Sequence, residues 1–188
     1  TALPHLVRAA GIHWPWQQVM IAVSLVTLAG GVLLYLLVPD AAQPRLGAAI
    51  DPRALVVIVR DPVLRASVFG YFGHMWELYA MWAWFGAFSA DVLPDRPSLA
   101  ALLTFAVIGI GAAGSVVGGV ISDRVTRTAA AGLAMALSAA AAALIGFVRS
   151  GPIGVVVVLG LVWGFWVVAD SAQFSTIVTE HADQRYVG

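Results

Sequence analysis

Three titratable side chains stand in stretches otherwise apolar enough to lie in a membrane. His74 and Glu77 fall near the middle of Ser67–Ala90, and Asp170 falls within Ile153–Val178. An ionisable group at bilayer depth costs about 2.5–3.5 kcal/mol on insertion scales, so it ordinarily faces protein or a water-filled cavity. An imidazole and two carboxylates in that setting can take up and pass on protons, or hydrogen-bond a polar solute. Each has a plainer reading as well. His74 can simply hydrogen-bond a neighbouring helix, and Asp170, nearer the interface, can be structural. Glu77 is hardest to account for without a role, because a buried acid rarely persists without a partner.

Helical spacing gathers these groups with others. Gly70, Gly73, His74, Glu77, Met81 and Trp84 recur at intervals of three and four and form one stripe. Trp163, Trp166, Val167, Asp170, Gln173 and Phe174 do the same on the second segment. Tyr71, Trp76, Tyr79, Trp82 and Trp84 are too many for an interfacial belt alone. Those on the stripe are expected to line an aromatic cavity, and those off it, such as Trp76, to face lipid or other helices. The candidate substrate and proton site is therefore His74, Glu77, Asp170, Gln173, Tyr71, Met81 and Trp84.

The elements that hold these residues follow from composition. Of 188 residues 61% are hydrophobic and 11% charged, against about 25% charged in a soluble domain. The chain reads as an all-α, polytopic membrane protein. Five segments are long enough to cross about 30 Å of hydrocarbon: Trp16–Val38, Ser67–Ala90, Leu99–Ile121, Thr128–Val148 and Ile153–Val178. Spans of this sequence must be helices, since the ten-residue alternation of an outer-membrane strand is missing. A formal net charge of zero leaves no footprint for nucleic acid. The lack of cysteine removes thiolate metal sites and cysteine nucleophiles; no metal and no cofactor is expected. The chain begins with Thr1, no signal peptide precedes the first apolar run, and it reads as a piece of something longer.

Arginine placement orients the spans. Arg45, Arg53, Arg60, Arg65, Arg124, Arg127 and Arg185 collect on one side, and Arg8, Arg96 and Arg149 on the other. The first side is expected to be cytoplasmic. Counted from there at 1.5 Å per residue, His74 and Asp170 each lie roughly 12 Å deep and Glu77 roughly 16 Å. His74 and Asp170 can thus share a level. The polar segment 39–66 holds an apolar run, Ala54–Val59, between Arg53 and Arg60. It suits either a short interfacial helix or an ordinary connecting loop.

Two spans look structural. Small-xxx-small pairs at 111/115, 114/118 and 115/119 mark the third as a close-packing helix. The fourth is rich in alanine, has no polar group beyond Ser138, and reads as a support.

The loop after the third span runs Gly118-Gly-Val-Ile-Ser-Asp-Arg-Val-Thr-Arg127. It resembles the cytoplasmic loop signature of the major facilitator superfamily, Gly-x-hydrophobic-small-Asp-Arg-x-Gly-Arg. Gly119, Ile121, Ser122, Asp123, Arg124 and Arg127 fit, and Thr126 stands where the family usually has glycine. In physical terms, Gly119 would allow close approach, Asp123 would cap the next helix, and the arginines would hold the loop on the cytoplasmic face. The resemblance implies that Gly119, Asp123, Arg124 and Arg127 act as a conformational latch.

It implies, further, twelve helices in two six-helix halves joined by a cytoplasmic linker. Residues 1–38 would then end the first half, 39–66 form the linker, and 67–188 supply helices seven to ten at 67–90, 99–121, 128–148 and 153–178. In the family, helices one, four, seven and ten line the central cavity, and His74, Glu77 and Asp170 fall only on the candidate helices seven and ten. The expected function is secondary transport of a small organic solute by symport or antiport, proton-coupled through Glu77, in a bacterial inner membrane. The expected partners are lipid, solute, protons and the remainder of the same chain. A facilitator using the same residues to bind solute is the close alternative, and a channel or structural subunit a further one. An intramembrane enzyme is not expected, since Ser171 adjoins Asp170 but cannot share its helical face.

Overall fold

The computed structural model describes residues 2–11, 14–39 and 52–181, the side chains of Arg53 and Ala54 apart. Those residues form α1 (Leu3–Ala9), α2 (Trp16–Leu37), α3 (Arg53–Arg60), α4 (Pro62–Val92), α5 (Pro97–Gly109), α6 (Gly111–Arg124), α7 (Arg127–Phe147), α8 (Ile153–Ala169) and α9 (Ser171–His181). Among the described residues there is no strand. Arg45, Arg185, the end Tyr186-Val-Gly188 and residues 40–51 of the linker lie outside them.

The five expected spans correspond to α2, α4, α5 with α6, α7, and α8 with α9. Four of these are long and apolar enough to cross a membrane: Trp16–Leu37, Pro97–Arg124, Arg127–Phe147 and Ile153–His181. The fifth, α4, has 31 residues, ample to cross about 30 Å, but His74, Glu77 and its tryptophans and tyrosines dilute its apolarity. It also starts five residues earlier than expected. Asp61 caps it, with Oδ1 accepting from the backbone N–H of Val63 at 2.8 Å and of Leu64 at 3.0 Å, and Pro62 occupies the first turn, where a missing N–H costs nothing. Segment 39–66 does include a helix, α3, so of the two readings open for Ala54–Val59 the helical one holds.

Two of the crossings are broken, α5 from α6 at Ile110 and α8 from α9 at Asp170. At the second break the backbone N–H of Gln173 bonds the Asp170 carbonyl at 2.9 Å, three residues back. That bond is the tighter, three-residue repeat, which shifts the angular position of the residues after Asp170 relative to a regular helix.

α4 to α9 pack around a core of Leu78, Met81, Phe85, Leu103, Val107, Ile145 and Val167. α5–α6 and α8 approach one another closely. Gly111, Gly114 and Gly118 face Val168, Phe165 and Ala169, and Gly164 faces Val107. Of the expected small-residue pairs only 114/118 lies in this contact. Ser115 is exposed, and a Cβ on Gly119 would meet nothing within 4 Å. The interface follows positions 111, 114 and 118, a three-then-four step that the fixed four-residue pairing misses. The alanines of α7 give it a smooth face: Ala130, Ala131, Ala134 and Ala141 are buried on it, together with Ser138. By contrast, α2 has no buried residue, as befits a helix that is apolar all round.

The short helix α1 was not anticipated. It packs against α5, and the His5 ring lies beside Gly86 of α4. Burial, and then the charge of Arg8, hold His5 below its ordinary value of 6.5. Docked α1 therefore binds fewer protons than released α1, so what His5 contributes to docking is fully present above that value and is lost as pH falls through it. Amide exchange across Leu3–Ala9, corrected for intrinsic rate, should rise between about pH 7.5 and about pH 5.5. Unchanged protection would mean that His5 does not hold the helix down.

Candidate functional site

α4 presents Leu64, Ser67, His74, Leu78, Met81, Phe85 and Ser89 to its neighbours. Two polar clusters hang on this face, one helical turn apart. In the first, His74 Nδ1 lies 2.8 Å from Asp170 Oδ1, with side chains 1% and 3% exposed. This is an ion-pair distance without a well-directed hydrogen bond, since Oδ1 has no hydrogen-bond donor among the described residues. On the other edge of the ring, Nε2 is 2.9 Å from Ser171 Oγ. Tyr71 stacks on His74 at 5.9 Å between centroids and 9° between planes, and Phe174 tilts against both rings at 6.0 Å. Gly70 makes room for that phenyl ring: a Cβ there would fall 2.7 Å from Phe174 Cε1.

The break at Asp170 is what brings Ser171 to the imidazole. In an unbroken helix, adjacent residues point about 100° apart, which is why they were not expected to share a face. A hydroxyl is both donor and acceptor. With the proton on Nδ1, Ser171 donates to Nε2; with both nitrogens protonated, Nε2 donates to Ser171 Oγ. Nε2 of His74 therefore keeps a hydrogen-bond partner in either charge state.

In the second cluster, Glu77 Oε1 accepts from Trp163 Nε1 at 2.8 Å and Oε2 from Ser138 Oγ at 3.1 Å. The Ser138 hydroxyl has an alternative acceptor in the Met135 carbonyl, 3.2 Å away. An indole N–H can only donate, whereas the hydroxyl can turn to Met135 and free Oε2. Ser138, expected to be no more than part of a support helix, is a ligand of the acid. Its single hydroxyl in an alanine-rich run was the available signal. Glu77 thus ties α4 to α7 and α8, and His74 ties α4 to the α8–α9 junction.

The other expected site residues divide. Gln173 is buried, 2% exposed, and its Oε1 has no partner among the described residues. Met81, 1% exposed, belongs to the apolar core instead of a cavity wall. Trp84, 73% exposed, is not with His74 and Glu77. With Phe72, Met75, Trp76 and Tyr79 it lines an open apolar groove of about 470 Å³ on the outer face of α4. Gly73 is exposed too. Trp84 stands seven positions after Glu77, but the buried arc of α4 there runs through Leu78, Met81 and Phe85, and Trp84 falls outside it.

In the loop after α6, Asp123 remains in the last turn of that helix and does not cap α7. Thr126 does, its Oγ1 accepting from the backbone N–H of Ala129 at 3.2 Å with extended backbone angles of −135° and 154°. Arg127 Nε bonds Glu180 Oε1 at 2.8 Å, joining the start of α7 to the end of α9. At the other end of the bundle Arg149 pairs with Asp91. Both pairs are exposed, and each contributes about 0–1 kcal/mol.

Apolar helices of crossing length, packed through small residues and holding buried ionisable groups between them, define an integral membrane protein with polar groups inside its helical bundle. The model of the Major Facilitator Superfamily matches residues 4–188. The chain belongs to that superfamily, whose members carry solutes across membranes. No curated protein and no solved structure matches the chain.

Proposed function

We propose that this chain is part of a secondary active transporter that moves a small organic solute by alternating access and is coupled to protons through Glu77. The observation carrying the reading is the pair of donors on Glu77. Trp163 holds one oxygen fixed, while Ser138 can release the other to the Met135 carbonyl. Such a carboxylate can gain and lose a proton with only one hydroxyl rotation. His74, between Asp170 and Ser171, is the relay one turn away. Because these groups join α4 to α7, α8 and α9, a change of protonation alters what holds the helices together, and rigid-body rocking can respond to it.

In this reading α2 ends a first six-helix half, the linker and the Asp123-Arg124 loop face the cytoplasm, and α4 to α9 form helices seven to ten in a bacterial inner membrane. Arg127 and Glu180 close the loop onto α9. The test uses the whole protein in proteoliposomes with a pH-sensitive dye inside, and a solute found by a competition screen. A proton flux should accompany solute movement. Glu77→Gln, which keeps the shape and the hydrogen bond from Trp163 to Oε1, should abolish accumulation driven by a pH gradient while leaving counterflow exchange. Accumulation retained in the variant would overturn the assignment of Glu77. Solute movement without proton flux in the parent would make the protein a facilitator.

A further inference from the structure

α3 is a short helix whose apolar side is uncovered. Leu55, Val56 and Val59 are 68%, 49% and 61% exposed, and by helical geometry they occupy an arc of roughly 100°. Val57, on the opposite side, is 37% exposed, and Ile58, just beyond the Leu55 edge of the arc, is the part-buried residue. Arg60, also exposed, stands at the edge of the apolar arc, and among the described residues it makes no ion pair. Arg65 is exposed on the first turns of α4, and its Nη1 donates to the Val59 carbonyl at 2.8 Å. That bond sets a second guanidinium at the C-terminal end of α3, with its remaining N–H groups available.

The position of α3 decides what meets this surface. Only Asp61 separates it from α4, so α3 lies within a turn or two of where α4 meets the bilayer. Apolar side chains beside guanidinium groups at that depth match an amphiphile with a negatively charged head. Acyl chains accept the Leu55, Val56 and Val59 arc, and phosphate oxygens accept the arginines. A water-soluble anion would satisfy the arginines and leave the apolar arc in water. We propose that α3 with the first turn of α4 is a binding site for anionic phospholipid, seating the helix in the adjoining leaflet through Arg60 and Arg65.

The test uses the whole protein in nanodiscs of phosphatidylcholine, with and without about one-third phosphatidylglycerol, a reporter fluorophore being attached through Leu55→Cys. With phosphatidylglycerol the emission should shift to the blue. Native mass spectrometry of the unlabelled protein should show phosphatidylglycerol retained over phosphatidylcholine. The double substitution Arg60→Gln with Arg65→Gln should lower that retention about five- to thirtyfold, by the attraction of anionic lipid for each basic side chain. Arg149→Gln, at the other end of the bundle, should leave retention unchanged. A fluorophore at 55 that stays water-exposed in both discs would overturn the proposal, because the arc would then not meet lipid. Equal retention by the parent and the double variant would overturn it too, because the arginines would then not select the headgroup.

Discussion

His74→Leu should destabilise the helical bundle by about 3 kcal/mol, and Asp170→Asn added to it should recover part of that loss. Two magnitudes compete for this prediction. Polar contacts between membrane helices average about 0.6 kcal/mol in double-mutant cycles, whereas truncating one partner of a buried ion pair costs about 3–5 kcal/mol. The larger figure governs here. Asp170 is 2% exposed and Oδ1 has no hydrogen-bond donor among the described residues, so the imidazole 2.8 Å away is the group that compensates it. Removing that ring strands a carboxylate, which is worse than losing one hydrogen bond between neutral groups. Leucine is close to histidine in volume, so the packing of Tyr71 and Phe174 around the site adds little to the loss.

The readout is reversible unfolding of the whole protein in mixed micelles, for both single variants and the double. A coupling energy of about 1–3 kcal/mol is expected. Coupling below about 0.5 kcal/mol would make the His74–Asp170 contact incidental. Ser171→Ala should cost only about 1 kcal/mol, since it removes a hydrogen bond and leaves no charge unpaired.

Why this pair was legible in the sequence, and Ser171 and Ser138 were not, has a physical answer. Counting residues from the membrane boundary fixes depth, because helices rise evenly. Two ionisable groups at one depth, both avoiding lipid, have few places to go except towards each other. The count brought His74 and Asp170 to one level, and they are in contact. Ser171 depended on a break in the helical ladder at Asp170, which no proline or glycine marks. Ser138 depended on which face of an alanine-rich helix turns inward, and alanines leave that face unmarked.

The same limit explains the misplaced aromatic residues. A stripe drawn through Gly70, His74, Glu77 and Trp84 follows spacing alone. The buried arc of α4 is instead drawn by its larger aliphatic and aromatic side chains, Leu64, Leu78, Met81 and Phe85. Glu77 sits at the edge of that arc, reached from α7 and α8, and Trp84 falls off it. In the loop after α6, Asp123 was a sound candidate for a cap by residue type. The helix runs on through Arg124, however, and the cap falls to Thr126, the residue that departs from the family pattern.

Glycine content announced close packing, and one large effect follows from where that packing falls. Gly114→Val and Gly164→Val should each destabilise the bundle by about 1–3 kcal/mol or more, and both should weaken the His74–Asp170 contact. A Cβ on Gly114 would land on the Phe165 carbonyl, and one on Gly164 on the Val107 carbonyl. These obstacles are backbone atoms of neighbouring helices, so no rotamer change relieves them and the helices must move apart. α8 carries Trp163 towards Glu77 and ends at Asp170, so its displacement reaches both polar clusters. Gly119→Ala and Gly73→Ala are the controls. Neither new methyl would meet an atom within 4 Å, and alanine is favoured over glycine inside a helix by up to about 1 kcal/mol. These two should therefore be neutral or stabilising in the same unfolding assay. If Gly119→Ala cost as much as Gly114→Val, close approach of α6 to α8 would not be what the glycines provide. If the valine variants destabilised the bundle yet left the His74–Asp170 coupling energy unchanged, α8 would hold Asp170 in place independently of how tightly it packs on α6.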